Sequence, residues 1–178
     1  FPYRVVDVVL MGRFAHLDFF QQAYADRDHR SAREALERVG IAHLATRVYT
    51  EISGGERQLA LIARALAQGA DILVMDEPVS GLDYGNQLRL LQEVRALAEE
   101  GFTVLKSTHF PDHAFLSSDE VVLLHRGMIV AQGAPEQAMT KDRLRLLYGV
   151  EVDLVTQGSG FICCVPVGVC KRDRATIC

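Results

Sequence analysis

The chain has 178 residues, of which 49% are hydrophobic and 24% are charged, and its formal net charge is -4. This composition is typical of a globular protein that is large enough to bury a core, and it gives no basic footprint for nucleic acid, which we exclude as a partner. No apolar run reaches the roughly 18 residues that a membrane-spanning helix needs, so we expect a chain that does not cross a membrane by itself.

The first fifty residues predict mainly helical structure. An aliphatic cluster fills Val5 to Met11, and the pattern from Gly12 to Arg30 indicates helical pieces joined by loops. Ser31 and Glu34 have the spacing of a capping box, in which the serine oxygen accepts a backbone N–H and the glutamate reaches back to the serine N–H. This spacing predicts a helix that begins at Ser31 and ends near Val39.

A second capping box encloses two glycines. Ser53 and Glu56 flank Gly54 and Gly55, and aliphatic residues at helical intervals follow, which predicts a helix with one buried face. The serine hydroxyl and the glycine N–H groups would stand at the positive end of that helix, where an anion such as a terminal phosphate is favoured. Taken alone, the same residues are also typical of an ordinary helix start.

The next segment predicts a strand, a helix and a second strand. Ile72 to Met75 is short and aliphatic enough to predict a buried strand, and Phe102 to Leu105 predicts another. A right-handed crossover makes such strands parallel, so their carboxyl ends open at one edge of the sheet. We therefore expect Asp76, Glu77 and His109, which follow the two strands, to share one crevice.

Two adjacent carboxylates at such an edge suggest phosphate chemistry. Asp76 is placed to hold Mg²⁺ through water molecules, and Glu77 could polarise an attacking water. An Asp-Glu pair can also simply end a strand and hydrate a turn. The glycines upstream and His109 downstream favour the functional interpretation.

The remaining chain predicts short elements. They are a helix from Pro111, a hairpin of Glu120 to Leu124 with Met128 to Ala131, two helices at Pro135 to Met139 and Lys141 to Tyr148, and a hairpin of Val150 to Val155 with Phe161 to Val167.

All four cysteines lie near the end of the chain, at Cys163, Cys164, Cys170 and Cys178. They lack the paired spacing of zinc or iron–sulfur ligands, so we expect thiols without a metal. The absence of cysteine from the body of the chain fits a reducing compartment such as the cytosol.

Four motifs together resemble those of one family. Ile52 to Gln58, Ile72 to Pro78, Ser80 to Asp83 and Thr108-His109 occur in the order and at the spacing of the ATP-binding subunits of ABC transporters. The resemblance implies an α/β fold with a parallel-sheet core of the P-loop NTPase type, of which this is the C-terminal portion, and a helical subdomain. It divides the chain into an incomplete helical, permease-facing subdomain (1–50), the C-terminal part of a RecA-like ATPase core (51–150) and a terminal hairpin and tail (151–178).

The resemblance also implies ATP and Mg²⁺ as cofactors and a role for each candidate residue. It implies nucleotide contact by Ser53, Gly54, Gly55, Glu56 and Asp83. It implies that Asp76 binds magnesium, that Glu77 is the catalytic base and that His109 is the switch histidine. Glu56 stands where the family usually has glutamine, and it brings a negative charge to a phosphate-facing position.

One family motif is missing from these residues. A phosphate loop needs Gly-x-x-x-x-Gly-Lys-Ser/Thr, and none of Lys106, Lys141 and Lys171 follows a glycine. We therefore expect an N-terminally truncated subunit that neither binds ATP tightly nor hydrolyses it alone. In this family two subunits pair head to tail, and each signature helix closes over the ATP held by the other subunit, so the resemblance implies a homodimer.

Phe1 to Arg13 is similar to the corresponding region of importers of metal chelates and related cargo, namely siderophores, cobalamin, haem and molybdate. The similarity implies docking on a permease through residues near Tyr3 to Phe20, and a cytoplasmic location, peripheral on the inner face of the membrane. The alternatives are a zinc or manganese importer, a non-enzymatic truncated module that binds a permease or partner subunit, and an ABC-type ATPase of DNA repair or translation.

Overall fold

The computed structural model describes residues 2–17, 23–158 and 160–168. The helices and strands, in chain order, are α1 (Val5–Leu10), a 3-10 helix (Met11–His16), α2 (Asp26–Arg38), two 3-10 turns (Ala42–Leu44 and Tyr49–Glu51), α3 (Gly54–Gln68), β1 (Ile72–Met75), α4 (Tyr84–Glu99), β2 (Thr103–Lys106), α5 (Pro111–Ser117), β3 (Val121–His125), β4 (Met128–Gly133), α6 (Pro135–Ala138), α7 (Lys141–Tyr148), β5 (Val152–Thr156) and β6 (Ile162–Pro166). Within these described ranges, no helix combines the length and the apolar character required to span a bilayer.

The chain divides into two compact units, Phe1–Ser107 and Thr108–Cys178. Each has its own hydrophobic core. The limits expected from the sequence, at residues 50 and 150, stay a prediction.

Helix α2 begins earlier than its sequence pattern predicts. Its first residue is Asp26, and Ser31 lies inside the helix rather than at its start. The N-cap residue is Ala25, and its backbone N–H donates to Asp28 Oδ2 at 3.0 Å, the contact that we assigned to Glu34 and the Ser31 N–H. The predicted end is confirmed, because the helix stops at Arg38.

Helix α3 begins with the predicted capping box. The Glu56 N–H donates to Ser53 Oγ at 3.3 Å, and the Ser53 N–H donates to Glu56 Oε2 at 2.7 Å. The helix ends at Gln68 and is followed by Gly69, whose φ of +81° is the left-handed conformation that glycine adopts without strain. The aliphatic spacing predicts a buried stripe of Leu59, Ile62, Ala63 and Leu66. Ile62 and Ala63 are buried, and Leu59 and Leu66 are half-buried.

Strands β1 and β2, which α4 separates along the chain, pair directly and in parallel, as predicted. Ile72 lies opposite Thr103 and Met75 opposite Lys106. The prediction that β1 is a fully buried strand is wrong. Ile72 and Val74 remain 62% and 75% exposed, because only the opposite face of the strand, with Leu73 and Met75, joins the core.

The core of the first unit is helical. The bulkiest fully buried aliphatic side chains in it are Val5, Val9, Leu36, Leu90, Leu91, Val94 and Leu97. They come from α1, α2 and α4, so the three helices share one apolar interior with α3.

The second unit confirms the predicted short elements. Strands β3 and β4 form an antiparallel hairpin, as do β5 and β6. Helix α5 begins at Pro111, and the Asp112 carboxylate accepts the Cys164 N–H of β6 at 2.7 Å. Cys163 and Cys164 are free thiols, whereas Cys170 and Cys178 lie outside the described residues.

Candidate functional site

Ser107 joins the two carboxylate residues that follow β1. The parallel register places the residue after Met75 beside the residue after Lys106. The Ser107 hydroxyl donates to Asp76 Oδ1 at 2.5 Å, and the Glu77 N–H donates to the same hydroxyl at 2.9 Å. One serine therefore orients both the Asp76 carboxylate and the backbone of Glu77.

Glu77 has an uncommon backbone conformation. Its φ is +42°, a region that costs a residue with a side chain about 1–2 kcal/mol. The Glu77 carbonyl accepts the Ser80 N–H at 3.0 Å, and the intervening Pro78 and Val79 are buried. The tight turn is therefore anchored on both sides, and Asp76 and Glu77 stay exposed at its surface.

The start of α3 packs closely against the start of α4. A Cβ at Gly54 would lie 3.2 Å from Leu82 Cδ2, and a Cβ at Gly55 would lie 3.0 Å from Asn86 Cγ. The N–H groups of these two glycines belong to the first turn, where the helix provides no carbonyl partner of its own. The glycines thus permit close packing at the positive end of a 15-residue helix.

Asp83 caps α4. Its Oδ1 accepts the Asn86 N–H at 3.0 Å, and its Oδ2 accepts the Asn86 side-chain amide at 2.6 Å. These hydrogen bonds hold the pKa of Asp83 below its usual value, so the carboxylate remains ionised in the cap.

Glu56 is ionised for a related reason. Hydrogen bonding with Ser53 lowers the pKa of the Glu56 carboxyl group. The Glu56 carboxylate is directed back to the Ser53 N–H and stabilises the first turn of α3. That Glu56 faces a phosphate stays a prediction.

His109 belongs to the second unit. Its ring centroid lies 4.1 Å from that of Phe110, and the Phe110 N–H donates to Thr108 Oγ1 at 3.1 Å. The crevice that His109 is expected to share with Asp76 and Glu77 stays a prediction.

The residues at this edge fit a magnesium ion that is held mainly by other ligands. No group of three or more His, Cys, Asp or Glu among the described residues could hold a metal ion. Mg²⁺ commonly uses only one or two carboxylates and completes its coordination with water and phosphate oxygens. An exposed Asp76 oriented by Ser107 meets that smaller demand. The pattern Gly-x-x-x-x-Gly-Lys-Ser/Thr does not occur in the 178 residues.

Sequence reasoning missed Ser107 and Asn86 as members of these arrangements. The signal for Ser107 was its place directly after β2, because parallel pairing brings strand ends together. The signal for Asn86 was its position three residues after Asp83, because an N-cap side chain commonly accepts the backbone N–H of the residue three positions later.

The chain is similar to known proteins in sequence and in structure. A family profile for ABC transporters matches residues 6–80. An uncharacterised ABC transporter ATP-binding protein of Haemophilus influenzae is 42% identical over 157 residues, which are 88% of this chain and 59% of that protein. A manganese transport system ATP-binding protein of Synechocystis is 40% identical over 84% of this chain and 56% of its own length.

An iron(3+)-hydroxamate import ATP-binding protein of Bacillus subtilis is 37% identical over 85% of this chain and 56% of its own length. The chain thus spans a little over half of the length of these curated relatives.

Among solved structures, a metal-chelate type ABC transporter in an inward-facing conformation superposes with a TM-score of 0.86 and 32% identity, over 94% of this chain and 67% of that one. The sequence match and the shared fold cover nearly the whole chain, and the four motifs occur in the expected order. The chain belongs to the family of ABC transporter ATP-binding proteins.

Proposed function

We propose that the chain is part of the ATP-hydrolysing subunit of an importer for metal chelates. The observation that supports this most is the hydrogen bond between Ser107 and Asp76, which fixes a carboxylate at the end of a parallel strand. Glu77 follows on an anchored turn, next to that carboxylate. This is a suitable arrangement for phosphoryl transfer to water.

In this proposal Asp76 would hold Mg²⁺, which would supply positive charge to the phosphate oxygens. Glu77 accepts a proton from the attacking water. Ser107 is a positioning residue, because it contacts Asp76 and the Glu77 backbone. His109 would contact the terminal phosphate as a hydrogen-bond donor.

The start of α3 would serve a second ATP molecule. Ser53, Gly54 and Gly55 present a hydroxyl and backbone N–H groups at the positive helix end, which suits the terminal phosphate of an ATP bound by another subunit. Glu56 stabilises that helix start, and Asp83 fixes the loop packed against it. The proposal therefore includes a head-to-tail homodimer.

We further propose that the 178-residue polypeptide by itself neither binds ATP tightly nor hydrolyses it, since it carries no phosphate-loop motif. The test is a magnesium-dependent ATPase assay on the purified polypeptide, with Glu77→Gln as the matched control. Turnover that Glu77→Gln abolishes would contradict the proposal. Turnover that this variant leaves unchanged would indicate a contaminating enzyme.

The partner that we propose is a membrane permease, contacted through residues near Tyr3 to Phe20. Tyr3, Met11 and Phe14 expose apolar side chains in the described part of this segment. The proposed location is the cytoplasmic face of the cell membrane. The test is co-purification of the tagged chain with permeases that are expressed from neighbouring genes. Phe14→Asp should reduce the recovered permease. Leu146→Asp, at an exposed position of α7, should not.

Two other functions have specific support. The 40% identity to a manganese transport ATP-binding protein supports a manganese importer. Uptake of radioactive manganese and uptake of iron–hydroxamate, compared in cells that express the transporter, would distinguish the two cargoes. The missing phosphate-loop motif supports a non-enzymatic module that binds a permease or partner subunit. Sequencing the gene upstream of the Phe1 codon tests that module, because an in-frame phosphate loop there would exclude it.

A further inference from the structure

The Met11–His16 helix is attached to the carboxyl-terminal end of α3 by several independent contacts. Arg13 Nη1 donates to the Ala67 carbonyl at 2.8 Å, and His16 Nε2 lies 2.7 Å from the Gln68 carbonyl. These carbonyls belong to the last turn of α3, where a helix leaves its acceptors without intrahelical donors and favours positive charge.

Arg13 also makes a buried ion pair. Its Nε lies 3.0 Å from Oδ1 of Asp28, and the Asp28 side chain is 0% exposed. The other oxygen of Asp28 accepts the N–H of Ala25, which is the N-cap residue of α2. One guanidinium thus joins the Met11–His16 helix, α2 and the end of α3, and the planar fork of arginine suits two acceptors at once.

Gly12 brings the same segment into direct backbone contact with α3. A Cβ at this position would lie 2.2 Å from the Arg64 carbonyl oxygen. The Met11–His16 helix therefore lies against α3 at a distance that no larger residue at position 12 allows.

We propose that Arg13 is a positioning residue that fixes the Met11–His16 helix to α3, so that the surface around Phe14 and the Ser53–Gly55 corner move as one rigid body. Helix α3 has 15 residues and is about 22 Å long, with no proline or interior kink residue between its ends. Phe14 is 72% exposed beside one end, and the Ser53 cap forms the other. The coupling role rests on the proposed function: a force applied at Phe14 by a permease would reach the phosphate-facing corner through α3.

The test measures rigidity directly in the 178-residue polypeptide. Spin labels are attached to cysteines at the exposed positions 14 and 57 in a background with Cys163, Cys164, Cys170 and Cys178 replaced by serine, and their distance distribution is recorded by pulsed electron paramagnetic resonance. We expect one narrow distribution for the parent and a width larger by on the order of twofold for Arg13→Gln.

Three further variants make the result specific. Arg13→Lys keeps the charge but cannot span both acceptors, so it should give an intermediate width. His16→Ala removes a contact at the exposed end of the segment, and it should widen the distance distribution by less than Arg13→Gln does. This variant keeps the test usable if Arg13→Gln does not fold. Arg33→Gln, on the exposed face of α2, should give the same distance distribution as the parent. A second pair of labels, at positions 57 and 68 within α3, should give a narrow distribution that is the same in every variant.

Unchanged widths in both Arg13→Gln and His16→Ala, with the helical circular dichroism retained, would overturn the proposal. This measurement needs no nucleotide and no permease. Its failure would leave the proposed transport function intact, and failure of the polypeptide to bind a permease would leave the rigid attachment intact.

Discussion

Ser107 and Asp76 lie at the ends of two parallel strands and are joined by a hydrogen bond of 2.5 Å between hydroxyl and carboxylate. The same hydroxyl accepts the Glu77 N–H. We expect Ser107→Ala to lower the free energy of unfolding by only about 1 kcal/mol, because water replaces both hydrogen bonds at this exposed edge. Ser107→Thr retains the hydroxyl and is the control. Urea titration followed by circular dichroism checks both, and equal losses for Ala and Thr would show that the hydroxyl does not matter.

The positive φ of Glu77 predicts a gain in stability from a substitution that removes the proposed base. Glu77→Gly should raise the free energy of unfolding by about 1 kcal/mol, because glycine adopts φ = +42° without a Cβ clash. Glu77→Ala keeps the Cβ and removes the same carboxylate. A gain of equal size for Ala and Gly would attribute the effect to charge and not to the backbone.

Gly54 and Gly55 are adjacent, but they should tolerate alanine differently. A Cβ at Gly54 meets the end of the flexible Leu82 side chain, whereas a Cβ at Gly55 meets the Cβ, Cγ and Oδ1 of Asn86. We expect Gly55→Ala to destabilise the chain by about 1–3 kcal/mol and Gly54→Ala to change stability by less than about 1 kcal/mol. Thermal unfolding of the pair measures the difference. Equal melting temperatures would mean that α4 can move away from α3 at no cost.

The Arg13–Asp28 pair predicts a loss of stability in acid. The Arg13 hydrogen bond holds the pKa of Asp28 below its ordinary value of 3.8. The unfolded chain therefore takes up this proton at higher pH than the folded chain does, so the stabilisation is present above pH 3.8 and is lost as pH falls below it.

Asp28→Asn should remove that part of the pH dependence. The measurement is the free energy of unfolding of parent and variant between pH 6 and pH 2, and the difference between the two should shrink towards the acid end. A constant difference would show that protonation of Asp28 does not contribute.

The outer face of β1 and β2 predicts self-association of the isolated polypeptide. Ile72, Val74 and Leu105 are all more than half exposed on this face, and a contiguous apolar patch favours association. Val74→Lys should reduce the concentration-dependent increase in mass seen by light scattering after gel filtration. Leu146→Lys changes an exposed leucine on α7 and should not. Equal effects of the two substitutions would exclude this face as the contact.

Some elements of the fold could be predicted from sequence because their determinants are local. The Ser53 capping box lies within four residues, and the parallel pairing of β1 with β2 follows from the handedness of the crossover. The start of α2 could not, because its cap comes from Asp28, whose carboxylate is held by the distant Arg13.

The exposed face of β1 was not predictable either. A short aliphatic strand has the same sequence whether one face or both are covered, and Val74 has solvent on the outer side. In the candidate site, the position of Asp76 and Glu77 directly after β1 was predicted from the sequence, whereas their chemical roles stay predictions. The sequence did not identify Ser107, because that contact depends on a strand register between residues about 30 positions apart.

The two acceptors of Arg13 differ in how mutation can remove them. Asp28 contributes a side chain, so most substitutions there delete the acceptor. Ala67 contributes its main-chain carbonyl, which every amino acid at that position would also provide while α3 ends there. In sequences that diverge from this one, residues 13 and 28 should therefore change together, whereas residue 67 should vary in identity and be limited only by the small volume available to its buried side chain.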